Sequence, residues 1–133
     1  MTTPLNSGQE LSDKIHVTVN TQYMADHPAS EADKFAFAYE INIANHSAES
    51  VQLINRYWLI IDGNGKQTEV EGAGVVGEQP HIASGNHFQY TSGAVLDTPV
   101  GSMQGYYEMQ DKDGAMFRVP IDIFSLAVPH LIN

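Results

Sequence analysis

The chain has 133 residues, no cysteine, and 16 acidic against 6 basic side chains, for a formal charge of −10. Without cysteine there can be no disulfide, no thiolate chemistry and no cysteine-bound zinc. The charge balance opposes nucleic acid, whose affinity for proteins comes largely from Lys and Arg neutralising phosphates, and Lys14, Lys34, Arg56, Lys66, Lys112 and Arg118 form no basic stripe. The length suits one domain with its own core. The stretch Met1–Ser7 has no charged region followed by an apolar one, and no apolar run is long enough to span a bilayer. The expectation is a cytoplasmic protein with neither nucleic acid nor membrane as partner.

In chain order, residues 1–13 read as a flexible polar arm, and residues 14–133 as a single domain. Period-two alternation then begins, the pattern of a half-buried strand. Ile15, Val17 and Val19 alternate with His16, Thr18 and Asn20. Next, Phe35, Phe37, Tyr39, Ile41 and Ile43 share one face. Each is worth about 1.5–3 kcal/mol if fully buried, while backbone ordering costs about 1–2 kcal/mol per residue, so a second sheet has to cover that face. Val51 to Ile61 is apolar on both sides, with Leu53, Tyr57, Leu59 and Ile61 facing one way and Ile54, Trp58 and Ile60 the other, which suggests a central strand. Asp62-Gly63-Asn64-Gly65 reads as a turn, Lys66 to Glu71 as a return strand, and Asp111-Lys112-Asp113-Gly114 as a second turn. Pro120 lies inside the last run, Met116 to Phe124, and proline cannot donate to a ladder, so that run belongs at an edge or a bulge. Seven to eight strands without a convincing amphipathic helix describe an all-β antiparallel sandwich of immunoglobulin-like or fibronectin type III-like kind.

Gly72-Ala73-Gly74-Val75-Val76-Gly77 matches the Gly-x-Gly-x-x-Gly pattern of nucleotide sites. That pattern works when a helix follows and its N-terminus meets the pyrophosphate. Here Pro80 follows closely, so the run is expected to be a connection between strands. Gly72, Gly74 and Gly77 would supply positive φ, and Val75 and Val76 would plug the core. Backbone amides can hold an anion without a helix, which keeps Gly72, Gly74 and Gly77 as an alternative anion loop, with Lys66 the nearest cation in sequence.

Several longer stretches carry a resemblance. Arg56-Tyr57-Trp58, Glu69 through Pro80, Tyr90-Thr91-Ser92-Gly93, Thr98 through Met109, and Phe124-Ser125-Leu126-Ala127-Val128-Pro129 occur in the order found in the bacterial ApaG family, and together they span most of residues 14–133. The chain resembles that family. The resemblance implies a fibronectin type III-like sandwich, no enzymatic activity, a loose link to cobalt and magnesium homeostasis, and protein–protein contact of the kind suggested by related domains in eukaryotic F-box and polymerase-interacting proteins. Ile82-Ala83-Ser84-Gly85 and Ile121-Asp122 depart from the family pattern, which affects local turn geometry.

The candidate residues follow from side-chain type. Arg56 and Tyr106 belong to the types that dominate interfaces. Tyr106 shares a face with Gln104 and Glu108 and reads as exposed, whereas Arg56 reads as the partner of a glutamate if it is not at an interface. Trp58 reads as a core residue with its indole N–H bonded locally. His81 and His87, together with Glu78, are the metal candidates, although no His-Glu-x-x-His motif is present. Glycine falls too early in both Asp-Gly turns for a calcium loop. No Gly-x-Ser-x-Gly elbow occurs, and Glu69 and Glu71 on one strand face read as charges that discourage aggregation. No cofactor is expected. The reading is a non-catalytic protein-interaction module, with a divalent-cation or phosphate-anion binding protein as the alternative. A homodimer through a sheet edge, or through Val128, Leu131 and Ile132 of the tail, is the other partner considered.

Overall fold

A computed structural model describes residues 7–31 and 33–129. Two antiparallel sheets face each other. Strands β1 (Ile15–Tyr23), β2 (Phe35–Asn45) and β6 (His87–Leu96) form one, in the order β1-β2-β6. Strands β4 (Gln67–Ala73), β3 (Val51–Asp62), β7 (Val100–Gln110) and β8 (Met116–Ala127) form the other, with the two-residue β5 (His81–Ile82) also paired to β3. The sandwich expected from alternation is present, with eight strands among the described residues.

The alternating residues of β2 supply one wall of the core: Phe37, Tyr39, Ile41 and Ile43 are buried against Leu53, Trp58, Met103, Tyr107, Val119 and Leu126 of the opposite sheet. At the end of β2 a buried Asn45 holds the crossover into β3, its Nδ2 donating to the carbonyls of Glu49 and Ile82 at 2.8 and 2.9 Å. The Asp62 and Asp111 segments are hairpin turns as expected. Asp62 Oδ1 accepts from the amides of Asn64 and Lys66, and Asp111 Oδ1 from those of Asp113 and Ala115. Pro120 lies on the edge strand β8, next to an irregularity where Asp122 and Ile123 oppose Gln104 alone.

Three expectations change. Residues 7–12 are not part of a loose arm: Ser7–Ser12 form a helix, α1, that inserts Leu11, 7% exposed, into the core beside β8. One apolar residue in this short segment leaves no periodicity to read. A second short helix, α2 (Pro28–Glu31), bridges β1 and β2. The third change is in β3, where the register slips between Leu53 and Asn55. An extra residue in a strand reverses which side the following residues face. Leu53 and Trp58, assigned to opposite faces by simple alternation, are therefore both buried, while Tyr57 is turned outward. Val128 packs on the core and donates to the carbonyl of Pro99 at 2.9 Å; the remaining tail contacts expected of Leu131 and Ile132 lie outside the described residues, as does His130.

Candidate functional site

The glycine run interrupts one edge. β4 and β5 both pair with β3, Ala73 opposite Asn55 and His81 opposite Gln52, so residues 74–80 leave the sheet and return to it. Val75 and Glu78 close this excursion as a two-residue hairpin, exchanging amide-to-carbonyl bonds of 2.8 and 2.9 Å. Its central residues both have positive φ, Val76 at 43° and Gly77 at 82°, the requirement of a type I′ turn. No helix follows. Gly74, at φ 63°, cannot be replaced without collision, because a Cβ there would fall 2.1 Å from the Glu78 carbonyl oxygen.

This geometry uses up most of the amides that an anion loop would offer. The Gly74 N–H donates to the Ile54 carbonyl, and those of Val75 and Glu78 bond each other's carbonyls. The valines also divide their roles. Val75 plugs the core at 1% exposure, but Val76 stands outward at 56% exposure. A β-branched residue at positive φ is an outlier whose strain the surrounding hairpin must hold in place.

Arg56 lies directly across from Gly72. Its Nη1 donates to the carbonyls of Ala73 and Gly74 at 3.1 and 2.9 Å. The guanidinium rests flat against Gly72, where any Cβ would come within 2.8 Å of Nη1. The cation beside the glycine run is thus Arg56, brought there by strand pairing, and Lys66 instead bonds Asp97 at 3.2 Å. Nor does a glutamate neutralise Arg56: among the described residues it forms no ion pair, and its Nε and Nη2 meet no acceptor.

Between the hairpin and the two sheets is a cavity of about 360 Å³, lined by Tyr39, Arg56, Trp58, Tyr90, Ser92 and the Val75–Gly77 segment among others. Trp58 belongs to the core, as its apolar neighbours suggested, and packs edge-on against Tyr39, Tyr107 and Phe124. Its indole N–H, however, bonds no described residue, contrary to the local bond expected. No described buried side-chain nitrogen or oxygen is both sealed from solvent and unbonded, so this N–H keeps some contact with solvent, on a residue that lines the cavity. The same holds for the hydroxyl of Tyr39, a residue only 6% exposed. Deeper, the hydroxyls of Tyr90 and Tyr107 meet at 2.5 Å. Burial raises both phenols well above the ordinary tyrosine range, so both stay neutral at physiological pH.

A second aromatic group occupies the outer face of the five-stranded sheet. Tyr57 and Tyr106, cross-strand partners, stack with centroids 5.0 Å apart. The Arg118 guanidinium sits 4.3 Å from the Tyr106 ring and 3.4 Å from Glu108. Tyr57 pairs on its other side with Glu71, and Glu69 lies two residues along that strand. Desolvation, then the nearby Glu69 charge, raises the Tyr57 phenol. Tyr106 is accordingly half-buried beneath an arginine. Arg56 and Tyr106, the two interaction candidates, border one depression together with Tyr57, Glu71, Gly72 and Glu108, while the Arg56 guanidinium also reaches the hairpin carbonyls of Ala73 and Gly74.

The metal candidates are not gathered. Glu78 closes the hairpin, His81 pairs with Gln52 in one sheet, and His87 pairs with Ala44 in the other. Among the described residues no three His, Asp or Glu side chains converge, and no helix there is long and apolar enough to cross a membrane.

Fold and site together define a small two-sheet antiparallel sandwich with an aromatic cavity at one edge. The family model of the ApaG domain matches residues 25–111. A protein ApaG of Klebsiella pneumoniae (strain 342) is 52% identical over 122 residues, covering 92% of this chain and 98% of its own. That of Erwinia tasmaniensis is 53% identical over 115 residues, covering 86% and 92%. Among solved structures, a Northeast Structural Genomics Consortium target superposes with a TM-score of 0.87 at 45% identity, covering 92% of this chain and 93% of its own. A Bordetella pertussis protein described as ApaA gives 0.81 at 41%, covering 87% and 94%. The chain belongs to the ApaG family.

Proposed function

We propose that this protein is a non-catalytic interaction module of the cytoplasm that binds a partner protein through the outer face of its five-stranded sheet. One observation carries this: Tyr57 and Tyr106 stack in the middle of that face, capped by Arg118 and left partly open. Tyr and Arg are the residue types that concentrate binding energy at interfaces. Stacking them in the free protein lowers the ordering cost of binding. Glu69 and Glu71 edge the patch, and with a net charge of −10 they favour a partner presenting basic groups. The absence of cysteine suits a reducing compartment.

The alternative of divalent-cation or phosphate binding, including the family's loose link to cobalt and magnesium, has no observation in its favour at Glu78, His81 and His87 or in the hairpin amides. A second copy of this chain, meeting it at a sheet edge or through the C-terminal tail, is the competing partner. The test compares capture of proteins from the native host by the wild type and by Tyr106→Ala, with sedimentation of the purified chain alongside. A partner held by the wild type and lost by the folded variant supports the reading. Capture unaffected by Tyr106→Ala and Tyr57→Ala, or a stable homodimer that buries Tyr106, overturns it.

A further inference from the structure

We infer that the cavity beneath the glycine hairpin binds a monoanionic carboxylate carrying an aromatic or branched apolar group. Arg56 also borders the outer-face depression that holds Tyr57, Tyr106, Glu71 and Glu108, but the inference does not depend on the function proposed for that face.

The residues lining the cavity include one cation, Arg56, and no acid, although the chain carries 16 acidic side chains. A half-buried guanidinium with no counter-ion retains part of its desolvation cost, which an incoming anion relieves. The Nε and Nη2 edge, free of described acceptors, has the planar fork that matches a carboxylate. Gly72 is what allows the guanidinium to lie there.

The neutral donors point the same way. The Trp58 indole N–H and the Tyr39 hydroxyl belong to residues that are 2% and 6% exposed and line the cavity; they bond no described residue and are not sealed from solvent. Polar atoms on side chains buried to this degree ordinarily find partners. The rings of Tyr39, Trp58 and Tyr90, with Val75 and Val76, provide apolar walls. A volume of about 360 Å³ is at the small end of ligand sites and suits a molecule of amino-acid to dipeptide size. A single cation in a chain of charge −10 disfavours a multiply charged phosphate or pyrophosphate, so the carboxylate is preferred.

Two sources share this chemistry: a free organic acid, or the C-terminal residue of a polypeptide. Trp58 is the only tryptophan, so its fluorescence reports directly from the cavity. The experiment titrates the full chain with N-acetyl-phenylalanine, its C-terminal amide, a short peptide ending in phenylalanine in free-acid and amidated forms, and inorganic phosphate and pyrophosphate. The expected result is a saturable change with the acids, weakened roughly tenfold or more in the amides and in Arg56→Gln. Equal affinity for the small acid and the peptide acid identifies a free-acid site; tighter peptide binding identifies a C-terminus site. Should Arg56→Gln fail to fold, Tyr39→Phe, which removes one hydroxyl, is expected to weaken the acid several-fold, and amide NMR of the wild type is expected to shift at Val75–Gly77 and at the Trp58 indole. No response to the acids, equal response to acid and amide, or tighter binding of phosphate or pyrophosphate overturns the inference.

Discussion

Arg56 and Arg118 both lie near aromatic rings, but their charges are answered differently. Arg118 is exposed, covers Tyr106 and reaches Glu108 at 3.4 Å. Arg56 is half-buried near Tyr39, Trp58 and Tyr90 and meets only two backbone carbonyls. The outer face therefore carries a neutralised, prearranged surface, and the inner cavity an unneutralised charge. An exposed ion pair contributes little to stability, whereas a desolvated cation bonded to fixed carbonyls constrains its surroundings. The difference separates a surface that can meet a folded partner from a cavity suited to a small anion.

The strongest way to break the comparison is Gly74→Ala. With φ at 63° and the Glu78 oxygen 2.1 Å from the new Cβ, the hairpin must open. Denaturant unfolding should show a loss on the order of 3 kcal/mol, with the Tyr57–Tyr106 stack retained in near-ultraviolet circular dichroism. Next is Tyr90→Phe, which deprives the buried Tyr107 hydroxyl of its partner at 2.5 Å and should cost about 1–3 kcal/mol. This pair also sets an alkaline limit. Because both phenols titrate higher when folded than unfolded, their contribution is complete below about pH 10, the unfolded value, and declines as pH rises beyond it. Titration of stability from pH 8 to 12 should show that decline, and it should be smaller in Tyr90→Phe.

Substituting each arginine by methionine tests the comparison itself. Arg56→Met should cost about 1–2 kcal/mol through its two carbonyl bonds, and Arg118→Met less than about 0.5 kcal/mol. Equal losses would remove the distinction. The smallest effect belongs to Asp97→Asn. Hydrogen bonds first from Lys34 and then from Lys66 lower the Asp97 carboxyl below its usual range. Its contribution is therefore present above about pH 4, the unfolded value, and fades as pH falls through the depressed folded value. Unfolding midpoints of wild type and variant should converge in acid and in high salt.

Much of the scaffold was legible in the chain itself. The β2 alternation, the two Asp-Gly turns, the edge position of Pro120 and the lack of a helix after Gly77 all come from local chemistry. The cavity was not, because it depends on long-range pairing, which brings residues of β2, β3, β6 and the glycine hairpin together and which period-two counting cannot see. The β3–β4 register makes Arg56 the cation beside the glycine run, although Lys66 is nearer to it in sequence. The spacing of Arg56 and Trp58, two residues apart, is the sequence signal that both serve one face. Helix α1 was hidden by having Leu11 as its single apolar contact, and the outward turn of Val76 by a φ that its side chain disfavours.

The most direct measurement is hydrogen exchange of the Trp58 indole N–H, followed by NMR alongside the amides of β2. The account predicts fast exchange despite 2% exposure of the residue, because the group has no described acceptor, is not sealed from solvent, and belongs to a residue lining the cavity. Protection comparable to that of Ile41 would show the N–H bonded or sealed, and would contradict an open cavity beneath the hairpin.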